Sequence, residues 1–252
     1  MTKLNNKLVI VVGGTSGIGF AVADQCITEG ARVIVASSQQ QKVDKAVERL
    51  KSSHPNGDVK GHQLDLSGGP QNIETKVEAF LNTVGRFDHL VITAGTLGHA
   101  PSLKDLDLAS LQSKMDIRYY APLAFAKIIS KHDLIPKGGS ITLTGGTIYL
   151  RPIKNYSPTC GIIGATVALA RGLALDMAPI RVNIVTPGPV HTELWDEIPA
   201  EHREPLLAGM KEKCLTGNIA TPDDTAEAYL YLMKDGSATG MSIGNECGTL
   251  LT

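Results

Sequence analysis

Short apolar stretches alternate with amphipathic stretches over almost the whole chain. The first apolar stretch, Leu8–Val12, has no polar position to face solvent. A strand that is apolar on both faces is typical of a parallel sheet covered by helices on both sides. The predicted strands are Leu8–Val12, 32–36, Val59–Gln63, 89–93, 140–143, 181–185 and 240–244.

Between these strands, apolar residues recur at helical spacing. The predicted helices cover residues 18–29, 40–52, 73–84, 111–129, 161–178 and 222–233. Regular alternation of strand and helix predicts an α/β fold, a single-domain Rossmann-type doubly wound parallel sheet with helices on both faces. With about seven strands, one dinucleotide-binding and catalytic domain would span residues 1–252.

The segment 190–217 departs from this alternation because it is rich in proline, glutamate and histidine. It follows the carboxyl end of a predicted strand, where open α/β sheets bind their ligands. We expect it to be a mobile substrate lid. The alternative is an ordinary excursion of the chain over the surface.

A glycine-rich turn joins the first predicted strand to the first predicted helix. It reads Gly13-Gly14-Thr15-Ser16-Gly17-Ile18-Gly19. Glycine is needed where the backbone turns with positive φ and where a pyrophosphate approaches main-chain N–H groups closely. The helix N-terminus adds unpaired donors and a partial positive charge. Because strand, turn and helix come in this order, the turn predicts dinucleotide binding.

Composition and charge exclude several other classes of protein. The chain has 24 Lys+Arg against 25 Asp+Glu, and this balance disfavours nucleic acid or an anionic membrane as a partner. The sequence contains no continuous apolar run of about 18 residues, so it predicts no membrane span. The beginning of the chain leaves no room for a secretory apolar region. The four cysteines are far apart and lack metal-binding spacing, so we expect reduced thiols, no metal site and a cytoplasmic location.

Several motifs resemble those of the short-chain dehydrogenase/reductase superfamily. The glycine turn resembles its TGxxxGIG loop, Asp65-Leu66 its adenine contact, and Ala94-Gly95 the end of its NNAG motif. The run from Arg181 to Thr192 resembles its RVN…PGxVxT motif, which cradles the nicotinamide amide. By this resemblance, the cofactor is bound by Gly13, Thr15, Ser16, Gly17, Ile18, Gly19, Ser37, Ser38, Asp65, Leu66, Ala94, Gly95, Pro187, Gly188, Val190 and Thr192.

The end of the second predicted strand indicates which nicotinamide cofactor is used. NAD-dependent proteins of this fold bind the ribose diol there with an Asp or Glu. This chain has Ser37 and Ser38 instead, with Lys42 as a candidate cation, and nothing there repels a 2′-phosphate. The residues therefore favour NADP(H). The alternative is that the two serines only cap the following helix.

The resemblance fails at the catalytic tetrad of the family. Counting back from Leu169–Asp176 places Thr159 in the Tyr slot and Ile163 in the Lys slot. The same alignment places Gly146 in the Ser slot and Arg118 in the Asn slot. Tyr156 reaches the Tyr slot only if the loop shifts by three residues, and its partner at i+4 would then be Cys160. The chain is therefore interpreted as a divergent member that lacks the tetrad.

Two functions are consistent with this sequence. The first is an NADPH-dependent reductase with an atypical mechanism, which acts on a small electrophilic substrate such as an activated carbonyl, imine or iminium in secondary metabolism. Its candidate catalytic residues are Arg118, Tyr156 and Tyr149. Tetrad-lacking reductases of fungal indole-alkaloid pathways are similar. The second is a silent NADP(H)-binding pseudoenzyme that acts as a sensor or oligomer partner.

Two further expectations concern the surroundings of these residues. Arg118 needs a partner if it lies in a cleft wall, and an ion pair with Asp116 or Glu193 would make it a structural residue. The helix 161–178 carries many small residues that suit close helix packing. By the family resemblance, this helix forms the interface of a homodimer or homotetramer.

Overall fold

Seven parallel strands form one sheet in a computed structural model that describes residues 2–95 and 102–252. The strand order is β3-β2-β1-β4-β5-β6-β7, and neighbouring strands are hydrogen-bonded. All seven predicted strands are present. Their bounds are β1 Leu8–Val12, β2 Arg32–Ser37, β3 Val59–Gln63, β4 His89–Ile92, β5 Ser140–Thr144, β6 Arg181–Pro187 and β7 Ser242–Asn245.

Helices connect the strands and cover both faces of the sheet. Their bounds are α1 Gly17–Thr28, α2 Gln40–Ser53, α3 Pro70–Val84, α4 Gln112–Met115, α5 Ala121–His132, α6 Ser157–Asp176, α7 Ala200–Glu212 and α8 Pro222–Lys234. Between α4 and α5 the chain forms a single π-helical turn, Asp116–Tyr120. The predicted helix 111–129 therefore begins within one residue of its predicted start, but the π-helical turn interrupts its regular α-helical hydrogen bonding in the interior.

Two apolar layers stabilise the sheet. On one face, α3 and α5 contribute Phe80 and Phe125, whose rings meet edge to face with centroids 6.4 Å apart. On the other face, α1 packs against α8, and Tyr229 is completely buried there. The sheet is thus covered on both sides, as the uniformly apolar strands predict. The fold is the predicted Rossmann-type doubly wound sheet.

Helix α6 corrects the expectation that no segment is apolar enough for a membrane. It is long and apolar enough to cross one by length and composition alone, with a hydropathy of 1.4 in its best window. The prediction missed it because glycine, alanine and threonine residues interrupt the strongly apolar ones. One such helix is weak evidence for a membrane span, since core helices of soluble proteins have the same composition. In this fold, Ala170 and Leu173 of α6 pack in the apolar core beside the sheet.

The strand order changes direction at β1 and β4, which are neighbours in the sheet but not in the chain. The chain leaves β1 toward one side of the sheet and leaves β4 toward the other side. Such a switch point opens a crevice at the carboxyl ends of the strands. The glycine turn and Ala94-Gly95 follow these two strands, so the topology brings both motifs to the same crevice.

Candidate functional site

A cavity of about 1600 Å³ lies at the carboxyl edge of the sheet. Single drug-sized ligands occupy pockets of about 300–1,000 Å³, so this cavity has room for a dinucleotide and a second molecule. Every residue predicted to bind the cofactor lines it. These residues are Gly13, Thr15, Ser16, Gly17, Ile18, Gly19, Ser37, Ser38, Asp65, Leu66, Ala94, Gly95, Pro187, Gly188, Val190 and Thr192.

The glycine turn leaves no space for side chains between the loop and the strands beneath it. Gly13 has φ +89°, and a Cβ there would lie 2.5 Å from the backbone nitrogen of Ala94. A Cβ on Gly19 would collide with the carbonyl oxygen of Gly13 and the hydroxyl of Thr93. The main chain is therefore the surface that faces the cavity. A bare main chain of this kind fits a pyrophosphate, which needs close N–H donors.

Helix α1 begins at this turn without a cap from its own residues. Ser16 stands at the cap position with extended backbone, but its side chain makes no capping hydrogen bond, and the first turn has no acidic residue. The N–H of Gly17 instead donates to Glu193 Oε2 at 2.9 Å. The positive end of α1 therefore faces the cavity, and a carboxylate from a distant segment contacts it.

The adenosine end of the cavity carries hydroxyls and cations. Ser37 and Ser38 line it after β2, and Lys42, Lys45 and Arg49 of α2 line the same wall. The N-cap of α2 is Gln39, without a side-chain bond. The alternative that the two serines cap this helix is therefore wrong. Their hydroxyls remain available to a ligand.

Asp65 lines the cavity after β3 and is fixed there by its neighbours. Its carboxylate accepts from Ser67 Oγ at 2.9 Å and from Lys76 Nζ at 3.1 Å. Burial alone would raise the pKa of Asp65, but the hydrogen bonds of Ser67 and Lys76 outweigh burial and lower it. Asp65 is therefore an ionised, pre-oriented group at the position that the family resemblance assigns to adenine.

Arg118 reaches the cavity floor from the π-helical turn. Its Nη1 donates to the carbonyl oxygen of Thr144 at 2.9 Å. The guanidinium lies against Gly95, where an added Cβ would collide with it. Burial lowers the pKa of Arg118, while the nearby Tyr229 acts in the opposite direction. An arginine keeps its charge even so, and single π-helical turns within helices are frequent at functional sites.

The expected ion pairs of Arg118 are absent. Asp116 accepts hydrogen bonds from the Gly69 N–H and from Gln112 Nε2. Glu193 accepts from Gly17. Within residues 2–95 and 102–252, no carboxylate lies within ion-pair distance of Arg118. A charge that is partly removed from water without a counter-ion favours an anionic or electron-rich ligand.

A buried hydrogen-bond chain fixes the carbonyl that Arg118 contacts. The hydroxyl of Thr144 donates to the Ile92 carbonyl at 2.7 Å. It accepts in turn from the Tyr229 hydroxyl, also at 2.7 Å. From α6, Thr166 donates to the carbonyl oxygen of Arg118 at 3.0 Å. Both the backbone and the guanidinium of Arg118 are therefore held in place.

The structure brings together the residues that the alignment assigned to the tetrad slots. Gly146, Thr159 and Ile163 line the cavity with Arg118, and Ile163 is buried. Tyr156 also lines it and stands at the N-cap of α6, outside the helix. Four residues further on, Cys160 donates its thiol to the Ile148 carbonyl at 3.2 Å. No ammonium group accompanies Tyr156 at this helical spacing.

Tyr149 is not brought to the cavity. It belongs to the 3-10 turn Thr147–Tyr149. Thr147 and Ile148 of this turn line the cavity, but Tyr149 does not. The expectation that Tyr149 flanks the cleft is wrong, because a 3-10 turn directs successive side chains about 120° apart.

The segment 190–217 covers one side of the cavity and contains a helix that was not predicted. Trp195 donates its indole N–H to the Val190 carbonyl at 2.6 Å, in the 3-10 turn Glu193–Glu197. Helix α7 was missed because Pro205 interrupts its pattern. The apolar wall formed by this segment consists of Leu194, Trp195, Pro205, Leu206 and Met210.

Further lining residues carry no motif in the sequence. The C-terminal segment contributes Thr249 and Leu250, and the loop after β5 contributes Ile148 and Arg151. Arg151 binds the Thr249 carbonyl and thereby joins these two segments. Such long-range contacts between loops leave no spacing pattern, so sequence reasoning had no signal for them.

The two ends of the RVN…PGxVxT motif have different roles. Arg181 donates to the carbonyls of Leu232, Met233 and Ala238, and Asn183 donates to Ala238. Both are buried in the amino-terminal half of β6, and neither lines the cavity. They join β6 to the C-terminal end of α8, so the expectation that the whole motif cradles nicotinamide is wrong for its first half. The second half lines the cavity.

Comparisons with known proteins agree with this architecture. The family model of the SDR-like Rossmann domain matches residues 1–252. A short-chain dehydrogenase/reductase of Stachybotrys chlorohalonatus is 35% identical over 256 residues, covering 100% of both chains. The short-chain dehydrogenase/reductase malC of Malbranchea aurantiaca is 38% identical, covering 98% of this chain and 96% of its own.

Solved structures extend the comparison to three dimensions. The MalC reductase/Diels-Alderase from Malbranchea aurantiaca superposes with a TM-score of 0.92 at 37% identity, covering 99% of this chain and 98% of that one. A small-chain dehydrogenase in complex with NADPH gives a TM-score of 0.81 at 27% identity, covering 98% and 100%.

Proposed function

Because this chain belongs to the short-chain dehydrogenase/reductase family, a family of oxidoreductases, we propose that it is an NADPH-dependent reductase that works without the family's tetrad. Its substrate is a small electrophile, an activated carbonyl or an imine or iminium, in secondary metabolism. The observation that carries this proposal is the charged guanidinium of Arg118. It faces the cavity without a carboxylate partner in the described part of the chain, beside Thr159 and Ile163 in the former Tyr and Lys slots.

NADP(H) is the cofactor that fits the cradle. The main-chain donors at Gly17 and the positive end of α1 suit its pyrophosphate. Ser37, Ser38 and Lys42 suit a 2′-phosphate, because hydroxyls and an ammonium are good donors to it and no acidic side chain follows β2. When bound, NADPH supplies a hydride for the electrophilic atom of the substrate. The residues of the chain must therefore provide only orientation and charge stabilisation.

Arg118 is proposed to bind the electron-rich atom or anionic group of the substrate. The carbonyl of Thr144 takes one of its donors, and no other residue within 2–95 and 102–252 accepts a hydrogen bond from its guanidinium. A fixed positive group in a partly desolvated site stabilises developing negative charge without reorganisation. Thr166 holds the backbone carbonyl of Arg118, and Thr144, itself bonded to Tyr229, holds the guanidinium. The guanidinium is therefore in place before a ligand binds.

Tyr156 is proposed to orient the substrate and to donate a proton where one is needed. It lines the cavity at the start of α6, and the residue four positions further on is Cys160 and not a lysine. A weak acid of this kind suits an acceptor that is already strongly electrophilic. An iminium needs no proton at all, because hydride addition converts it directly to a neutral amine.

A second candidate is the catalytically silent NADP(H)-binding pseudoenzyme. Buried Ile163, in place of the lysine that activates the tyrosine in the family, favours it. The discriminating experiment first titrates the purified protein with NADPH by fluorescence. Stopped-flow mixing of the NADPH complex with ketones and cyclic imines then follows the absorbance of the reduced nicotinamide. Oxidation by a member of the panel supports the reductase, and binding without any oxidation supports the pseudoenzyme.

The remaining proposals concern organisation and location. We propose one dinucleotide-binding and catalytic domain over residues 1–252, with segment 190–217 as its substrate lid. We also propose that the protein is located in the cytoplasm.

Helix α6 exposes a face of small residues with Gly161, Ala168, Gly172 and the 82% exposed Leu175. We propose that this face is the subunit interface of a homodimer or homotetramer, because an exposed leucine among small residues suits close packing of two helices. Light scattering after gel filtration tests it, and a monomer would contradict it.

A further inference from the structure

Glu193 connects the lid segment 190–217 to the glycine turn. Its Oε2 accepts from the Gly17 N–H at 2.9 Å, although the two residues are 176 positions apart in the chain. Thr192 adds a packing contact, since a Cβ on Gly17 would lie 3.1 Å from the Thr192 methyl carbon. The lid segment therefore touches the turn at the residue where α1 begins.

The contact is electrostatically favourable for a general reason. The first N–H groups of a helix have no partner within the helix, and they carry a partial positive charge. Neither Ser16 nor an acid in the first turn satisfies them in α1. The carboxylate of Glu193 is thus an anion placed where a helix of this fold accepts the phosphates of a dinucleotide.

We propose that Glu193 is a latch that holds the lid segment on the glycine turn and is displaced by the pyrophosphate of NADP(H). This inference rests on the proposed function, since it requires that NADP(H) binds at α1. Two anions compete for one N–H donor and repel each other when they are close. Cofactor binding therefore releases the lid from the turn, and by linkage the latched lid weakens cofactor binding by the same factor.

The latch has a consequence for the substrate side of the cavity. Glu193 is the first residue of the 3-10 turn that carries Leu194 and Trp195, and both side chains line the cavity. A change at Glu193 therefore reaches the apolar wall that covers the substrate.

The chain contains a built-in reporter for this motion. Trp195 is the sole tryptophan, it lies two residues from Glu193, and its indole donates to the Val190 carbonyl. Inorganic pyrophosphate is the probe of choice, because it competes for the N–H donors of α1 but has no nicotinamide to quench tryptophan emission. We expect pyrophosphate to change the Trp195 emission of the wild-type protein, and the change should saturate.

The decisive variant is Glu193→Gln, which keeps the shape of the side chain and removes its charge. Loss of a competing anion should tighten NADPH binding by about two- to fivefold, from the usual strength of a charge at a helix N-terminus. Glu193→Ala should tighten it at least as much, and pyrophosphate should then change its Trp195 emission less than in the wild type. Glu201→Gln is the matched control, since this exposed residue of α7 loses the same charge away from the turn.

The outcomes separate the latch from the proposed function. If the wild-type protein binds neither NADPH nor pyrophosphate, the proposed function fails and the latch fails with it. If the wild type binds NADPH but Glu193→Gln binds it equally or more weakly, the latch alone is overturned. Equal tightening in Glu201→Gln would also overturn it, because the effect would then come from overall charge. Circular dichroism of each variant verifies that the fold is retained.

Discussion

The two sides of the cavity that we assign to the cofactor and to the substrate are built in different ways. On the cofactor side, the glycine turn, the end of β2 and Ala94-Gly95 present mainly backbone, small side chains and hydroxyls at the ends of adjacent strands. On the substrate side, Arg118, Tyr156 and Trp195 come from a π-helical turn, a helix N-cap and a 3-10 turn. The first side follows from the sheet topology, and the second depends on side chains held by loops.

This difference indicates which side can change without loss of the other. Gly13 and Gly19 are fixed by the backbone contacts that surround them, so substitutions there disturb the strands beneath. Thr159 and Ile163 line the cavity from α6, outside the sheet. A protein of this architecture keeps its cofactor cradle while the chemistry on the opposite wall diverges.

Among the variants that leave Arg118 unchanged, the largest effect is expected from Tyr156→Phe. For ketone substrates the reduced product needs a proton, so loss of the hydroxyl should lower the hydride-transfer rate about 100-fold. Cyclic iminium substrates need no proton, so the hydroxyl takes no part in their reduction. Their rate should stay within about twofold, which is a change of less than RT in the activation free energy. Stopped-flow rates of both substrate classes measure this ratio. Equal losses for both classes would show that Tyr156 only positions the substrate.

An intermediate effect is expected on the cofactor side, from Gly13→Ala. The added Cβ would lie 2.5 Å from the Ala94 nitrogen, at a φ of +89° that L-residues rarely adopt. Strain of about 1–3 kcal/mol should weaken NADPH binding by about ten- to 100-fold or destabilise the fold by the same free energy. NADPH titration and urea unfolding measure the two effects.

Gly172→Ala is the control for this substitution. Gly172 lies inside α6 with nothing within 4 Å of an added Cβ. Alanine there should leave NADPH affinity unchanged, because Gly172 does not line the cavity. If Gly13→Ala behaves like Gly172→Ala, the glycine turn is not the constrained element that the geometry indicates.

The smallest effect of this series is expected from Lys42→Met, which tests the adenosine end of the cofactor side. Loss of a charged donor to the 2′-phosphate should weaken NADPH binding about tenfold and leave NADH binding unchanged. Lys51→Met is the control, because Lys51 is exposed in the last turn of α2. Parallel fluorescence titrations with NADPH and NADH measure the two dissociation constants for each variant. A loss of the same size for NADH would mean that Lys42 contacts a part common to both.

The sequence predicts the cofactor side well because its determinants are local. Gly13, Gly17 and Gly19 are defined by a turn between one strand and one helix, and such a turn has few conformations. The same holds for Ser37 and Ser38 at the end of β2, whose position follows from the strand before them. Topology then brings these local motifs to one edge of the sheet.

The substrate side is predicted only in part because its geometry depends on contacts between distant residues. The sequence identifies Arg118 but misassigns its partners, since Asp116 is used by Gly69 and Gln112 on the far side of the π-helical turn. It misplaces Tyr149, because a 3-10 turn interrupts the loop after β5. It misses α7, because Pro205 and scattered charges hide the helical pattern.

The central proposal is that Arg118 performs the charge stabilisation that we do not assign to a tetrad in this chain. The most direct measurement is the hydride-transfer rate of Arg118→Met with a saturating ketone substrate, which develops negative charge on its oxygen, beside the NADPH dissociation constant of this variant, with Arg118→Lys as the charge-retaining comparison. Our account predicts a rate about 100- to 1,000-fold lower for Arg118→Met, partial recovery in Arg118→Lys, and an unchanged dissociation constant. An unchanged rate, or equal loss of rate and NADPH affinity, would contradict it.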